Sequence, residues 1–493
     1  MKLISKYIII LASVGMFFSC QDLEREDYNQ IYPENFFQNE TDVKNATTAM
    51  YRLFHMNSYG GGGVYSFGRG GYNIFTEVST DIMDCQWGDG GSWATFNALR
   101  WTAENTKGTD AIYWKYNWLS KGEQIIKNIN EANVSDDVKN LYIAQIKGLQ
   151  GWLGFVFFDL YGGVPVANEE VLANIEEEVY LERYTADQMA RYVETKLTEA
   201  IDYLPVSYSS SDWGRLTKGA AYTILLKLYM QEKNWTKAEE TAREIMKPEY
   251  GYALQDTYKS IFEIDNEINN EVILAIPCNP DDFKNGWIAH VLPYNFPYEN
   301  TAAQKWSGYR LEWNFYHTYE AGDERLETIA GAYDGTDGVT YDEDHPGAHL
   351  VKGALPIKFG VDLNHIGHGA GNDFPVYRLA DVMLCLAEAI NNKNGGPTTE
   401  AYGLINQVRD RAGLDDLAEG MSQTDFNDAL LLERGHELYC EGHRRQDLIR
   451  HGKYIEYGKL VPNNLAADHK VLYPIPNGAI TESKGAVKQN TGY

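Results

Sequence analysis

The sequence predicts an all-α fold, with paired helices in a single domain interrupted by long loop insertions and few short strands. Three observations carry this reading. From Ile112 onward, apolar residues recur at helical spacing in one segment after another. Two helix–turn–helix pairs stand at Lys218–Met246 and Tyr377–Gly413. Only Glu271–Ile276 has the short β-branched run of a strand.

In chain order, Met1–Lys6 carries the positive charges Lys2 and Lys6, and Tyr7–Phe18 is an apolar run too short to span a bilayer. Residues 1–19 therefore read as a signal peptide, ending in Ser19 before Cys20. Residues 20–42, which include the acidic stretch Asp22–Asp27, read as a tether, and residues 43–493 as the folded part. A first helix is expected from Val43 to Met56, capped by Thr41. Loop-rich insertions are expected near 57–110, where Gly60–Gly63, Gly68, Gly70 and Gly71 break all periodicity, and near 250–375. The glycine run lacks both phosphate-loop spacings, G-x-G-x-x-G and G-x-x-x-x-G-K, which weighs against a nucleotide site.

Helices are then expected over Tyr113–Ile129, Val138–Phe158 and Thr185–Leu204, the last stopped by Pro205. Gly148, Gly151 and Gly154 cost helix stability, so they point to a closely packed neighbouring helix. Leu430–Arg450 reads as one long helix with Leu431, Leu438 and Leu448 on its apolar stripe. Glu433, Glu437 and Glu441 lie one turn apart, and Glu441 is placed to pair with Arg445 at i,i+4. So many charges fit a network that holds helices in register better than a catalytic acid and base.

Composition narrows the function. There are 70 acidic and 43 basic residues, a net charge of −27, which speaks against nucleic acid and anionic surfaces as partners. The chain has 35 Tyr and 11 Trp. A ring offers a flat apolar face to a sugar while its edge stays polar, so this surplus fits carbohydrate binding. The five cysteines include no C-x-x-C, and Cys385 and Cys440 read as buried thiols. His345, His349, His365 and His368 form H-x-x-x-H and H-x-x-H spacings on no convincing helix, so no metal and no cofactor is expected.

Two segments combine rings with short polar side chains outside the scaffold helices. One, Asp81–Trp101, supplies Asp81, Trp87, Trp93, Asn97 and Trp101. The other, Trp287–Trp313, supplies Trp287, Tyr294, Trp306, Arg310 and Trp313. These ten are the candidate ligand-binding residues. Trp87, Trp93 and Trp306 are expected to stack on the ligand, with Asp81 and Asn97 bonded to hydroxyls.

Several motifs carry a family resemblance. They are Pro33-x-x-Phe36-Phe37, Tyr161-Gly162-Gly163-Val164-Pro165, Gly214-Arg215-Leu216-Thr217-Lys218-x-Ala220-Ala221, the Arg378–Ala389 and Ile405–Gly413 segments, and the Glu433–Arg450 stretch. Leu472-x-Pro474-Ile475-Pro476 and the tail Gln489–Tyr493 complete the series. Together they resemble the SusD/RagB family of outer-membrane nutrient-binding lipoproteins of Bacteroidetes. Gln150-Gly151 replaces the family's Arg-Ala pair, and Thr491 replaces a Pro in its tail. Asn234-Trp235-x-x-Ala238 resembles a tetratricopeptide turn. The resemblance implies tetratricopeptide-like helical pairs and lipidation at Cys20, with an outer-membrane location facing the exterior. It also implies oligosaccharide capture, without enzymatic activity, for a SusC-like TonB-dependent transporter. A RagB-like peptide binder is the alternative, and a helical glycoside hydrolase a third.

Overall fold

The computed structural model describes residues 36–56, 63–173 and 178–493. The expected signal peptide, Cys20 and Gly60–Gly62 lie outside the described residues.

Helix α1 spans Glu40–Tyr51. Its cap is Asn39, whose side chain accepts the Asp42 N–H, so the expected Thr41 cap is corrected by two residues. A 3-10 turn at Tyr113–Tyr116 leads into α4, Asn117–Glu131, and α5 follows at Asp136–Tyr161 (the short helices α2 and α3, in the first insertion, are described below). Helix α6, Ala186–Ile201, begins with a reciprocal capping box between Thr185 and Gln188. It packs along α5 on the expected glycine face. A Cβ at Gly151 would lie 2.6 Å from Leu197 Cγ, and one at Gly154 3.0 Å from Met189 Cε. Each missing side chain is therefore the space that the neighbouring helix fills.

The two predicted helical pairs are present. Helices α7 (Lys218–Gln231) and α8 (Trp235–Ile245) turn at Asn234, whose side chain accepts the Lys237 N–H. Helices α10 (Leu379–Asn394) and α11 (Thr399–Arg411) turn after Gly395, which has a φ of +73°. Lys227 on α7 pairs with Asp381 on α10 at 3.0 Å, both side chains buried. The two pairs are thus tied through the core.

The expected single helix over Leu430–Arg450 is corrected to two. Helix α12 runs Gln423–Leu438 and α13 runs Arg444–Arg450. Cys440 and Gly442 between them have φ of +65° and +90°. Glu77 stabilises this break by accepting the N–H groups of Gly442 at 2.8 Å, His443 at 3.1 Å and Cys440 at 3.3 Å. Those donors have lost their helical acceptors, so a buried carboxylate satisfies them. The expected Glu441–Arg445 pair is broken with the helix. Glu441 instead meets Lys358 at 2.5 Å and Arg378 at 2.7 Å, while Arg445 meets Asp159 at 3.0 Å.

The two loop-rich insertions are joined by a four-stranded antiparallel sheet. Its order is β1 (Met83–Cys85), β3 (Tyr309–Glu312), β5 (Gly353–Pro356) and β4 (Ile329–Ala330). The predicted strand, β2 at Val272–Ile276, pairs with β6 at Phe374–Arg378. Short helices α2 (Tyr72–Val78), α3 (Ser92–Asn97) and α9 (Trp287–Val291) flank the four-stranded sheet.

Candidate functional site

Pairing of β1 with β3 sets Cys85 opposite Tyr309. The two segments singled out from sequence therefore meet edge to edge. Just beyond the paired strands, the Trp87 indole Nε1 donates to the Trp306 carbonyl at 2.8 Å. Gly308 makes room for this ring, since a Cβ there would sit 2.4 Å from Trp87 Cζ2. Trp87 meets Trp93 edge to face at 6.1 Å and Trp306 at 6.4 Å. His290 on α9 fills the angle between them, 5.3 Å from the Trp87 ring and 4.9 Å from Trp306. Its Nδ1 lies 2.7 Å from the Gly286 carbonyl, and burial pushes its pKa down to about 4, so the ring is neutral.

These rings line an open cleft of about 830 Å³, together with Arg69, Asp89 and Lys107. Trp87 and Trp306 are half-buried, which leaves ring surface in the cleft. Trp93 is 2% exposed and its Nε1 donates to Asp89 Oδ2 at 2.8 Å. It braces the wall more than it presents a face. Arg69 donates to Ser92 Oγ at 2.8 Å and Lys107 to the Gly90 carbonyl at 3.3 Å. The cleft thus offers half-buried aromatic surface beside charged hydrogen-bonding groups.

The other candidates are dispersed. Asp81 and Asn97 line a separate hollow of about 410 Å³. There the Arg444 fork holds Asp81 at 2.8 and 2.7 Å, and Glu312 is raised to about 7 by burial and by Asp84. The expected partnership of Asp81 and Asn97 with the stacking rings is corrected accordingly. Trp101 and Trp287 are fully buried, with indole donors on Tyr493 Oη and the Pro356 carbonyl, both at 2.8 Å. Neither can reach a ligand. Arg310 is also fully buried and donates to the Val291 carbonyl at 2.9 Å and Ser307 Oγ at 2.7 Å, so it ties strands to loops. Trp313 donates to the Leu350 carbonyl at 2.9 Å, and Tyr294, 71% exposed, packs edge-on against His349. Neither lines the Trp87–Trp306 cleft.

Among the described residues no group of three or more His, Cys, Asp or Glu is placed to hold a metal ion. Arg69, Lys107 and His290 were not singled out from sequence. No local signal marks them, because only the β1–β3 pairing and the α9 turn bring them to the rings.

Two family models match the chain. The SusD family matches residues 332–493, and the family described as starch-binding, associating with outer membrane, matches residues 23–230. SusD-like protein P25 of Formosa agariphila is 27% identical, covering 99% of each chain. The starch-binding protein SusD of Bacteroides thetaiotaomicron is 25% identical over 71% of this chain and 72% of its own. Among solved structures, surface glycan-binding protein A of Bacteroides thetaiotaomicron, in complex with laminarihexaose, aligns with a TM-score of 0.75 at 21% identity. That alignment covers 91% of this chain and 99% of the other. A laminarin-binding SusD-like protein aligns with a TM-score of 0.77 at 23% identity, over 92% and 100% of the two chains. The structural likenesses establish the helical scaffold, the two family models between them span most of the sequence, and the chain belongs to the SusD/RagB family.

Proposed function

We propose that this protein is a glycan-binding lipoprotein of the outer-membrane surface that captures oligosaccharides and passes them to a SusC-like TonB-dependent transporter. The observation that carries this is the cleft of about 830 Å³ walled by Trp87, Trp93 and Trp306. A pyranose stacked on Trp306 or Trp87 would bury its apolar face while its hydroxyls reach Asp89, Lys107 and Arg69. Relatives named for starch and laminarin binding support a glycan over a peptide. Binding without hydrolysis is favoured because Asp89, the carboxylate at these rings, has one oxygen engaged by the Trp93 indole. Hydrolysis needs two carboxylates flanking one bond.

The lipid anchor would be Cys20. No helix among the described residues is long and apolar enough to cross a membrane. Parallel screening of the whole protein on oligosaccharide and peptide arrays tests the function. Binding to sugars and not to peptides is expected, and the reverse would favour the RagB-like alternative. In cells, Cys20→Ala should lose outer-membrane fractionation and surface labelling. Retention of both would refute the anchor.

A further inference from the structure

The aromatic wall continues past Trp306. His368 stacks against it at 5.6 Å and 27°, and His368 also lines a neighbouring hollow of about 630 Å³. In that hollow His55 stacks on Phe283 at 3.7 Å. Two hollows, floored by rings, therefore share one wall.

Their charge runs against that of the chain. Arg69 and Lys107 line the first hollow and Arg52 and Lys284 the second, against the carboxylates Asp89 and Asp282. The chain as a whole has 70 acidic and 43 basic residues. None of the four cations forms an ion pair with a described residue. Arg69 is bonded to a hydroxyl and Lys107 to a carbonyl, both neutral. Asp89 is partly occupied by the Trp93 indole. The positive field is felt nearby, since the pKa of His55 is lowered to about 4 by burial and then by Arg52. His368 is lowered by burial and then by Lys284.

We propose that the glycan taken by this cleft is anionic, a chain whose sugars bear carboxylates or sulfate esters. This rests on the glycan reading above and narrows it. Sugar faces lie on Trp87 and Trp306, with the acidic groups on Lys107 and Arg69. A chain long enough to pass His368 also reaches Lys284 and Arg52. The guanidinium forks suit planar carboxylates and sulfate oxygens, and the ammonium groups act as point charges. The net charge of −27 does not forbid this. At physiological ionic strength the screening length is about 8 Å, so distant carboxylates are muted while cleft cations act at contact.

Calorimetry on the whole protein tests it with four oligosaccharides of equal length: an oligouronate, its methyl ester, a sulfated oligosaccharide and neutral laminarihexaose. One of the two anionic sugars should bind on the order of tenfold more tightly than the neutral ones, as hydrogen bonds to charged groups do. Which one does so identifies the acidic group. Raising salt from roughly 50 mM to roughly 500 mM should remove most of that advantage. Lys107→Gln and Arg69→Gln should weaken the anionic ligand several-fold more than the neutral one, which loses only hydroxyl contacts, and Lys107→Arg should retain affinity. Equal, salt-insensitive binding of all four sugars would overturn the inference and leave the glycan reading standing. Equal weakening of neutral and anionic ligands by the Gln variants would also overturn it. Binding in none of the four arms would overturn both.

Discussion

The indole nitrogen of Trp87 donates to the carbonyl oxygen of Trp306 at 2.8 Å across 219 residues of sequence. This bond follows directly from the β1–β3 pairing, which sets Asp84 opposite Arg310. The strands fix where the two loops leave the sheet, and the bond fixes the ring of one against the backbone of the other. A ring held this way has little conformational entropy left to lose when a ligand stacks on it.

The buried charge network should dominate stability. Arg378 is fully buried and meets Glu271 at 2.6 Å, Glu437 at 2.9 Å and Glu441 at 2.7 Å. Arg378→Met strands those carboxylates away from water and should cost about 3–5 kcal/mol. Arg243 meets Glu400 at 2.7 Å with both side chains well exposed, so Arg243→Met should cost less than about 1 kcal/mol. Denaturant unfolding of the two variants measures the difference. Equal losses would mean that the network contributes nothing specific.

The break between α12 and α13 makes a second prediction. Gly442 has a φ of +90°, and a Cβ there would lie 3.1 Å from Asn73 Cα. Gly442→Ala should therefore lose about 1–2 kcal/mol through the left-handed backbone alone. Gly396, where a Cβ meets nothing, is the control. Thermal unfolding that shows Gly442→Ala as harmless as Gly396→Ala would refute the strained turn.

Acid should destabilise the fold through His443. Burial, then the Lys227 charge, hold its pKa down to about 4, against an ordinary value of 6.5. Between those values the unfolded chain binds a proton that the folded chain does not. Stability is therefore complete above pH 6.5 and falls as the pH drops toward 4. The loss attributable to this ring is on the order of 3 kcal/mol. The free-energy difference between wild type and His443→Gln, followed from neutral pH downward, isolates it. A pH-independent difference would contradict the buried neutral ring.

Much of the scaffold was legible because helices leave local marks. The glycines at 148, 151 and 154 announced the close approach of α6. Asn234 announced the turn between α7 and α8. The break at Cys440–Gly442 was not legible, because Glu77, which satisfies its backbone, lies more than 360 residues away. The four-stranded sheet was missed for a related reason. Strands of 2–4 residues carry almost no periodicity, and their partners are distant. Of the tryptophans in the two candidate segments, sequence could not separate Trp101 and Trp287, which pack inside, from Trp87 and Trp306, which face the cleft. Ring type is the same in each case, and only the long-range pairing decides which rings keep an open face.

Titration of Trp306→Ala with the oligosaccharide that binds the wild type most tightly tests the aromatic cleft most directly. Loss of one stacking face should weaken binding by about 1–3 kcal/mol. The melting temperature should hold, because Trp306 is only half-buried in a loop. Trp101→Ala, which removes a fully buried ring, should do the opposite and lower the melting temperature. Unchanged affinity in both Trp306→Ala and Trp87→Ala, each with its melting temperature intact, would place the ligand elsewhere on the molecule.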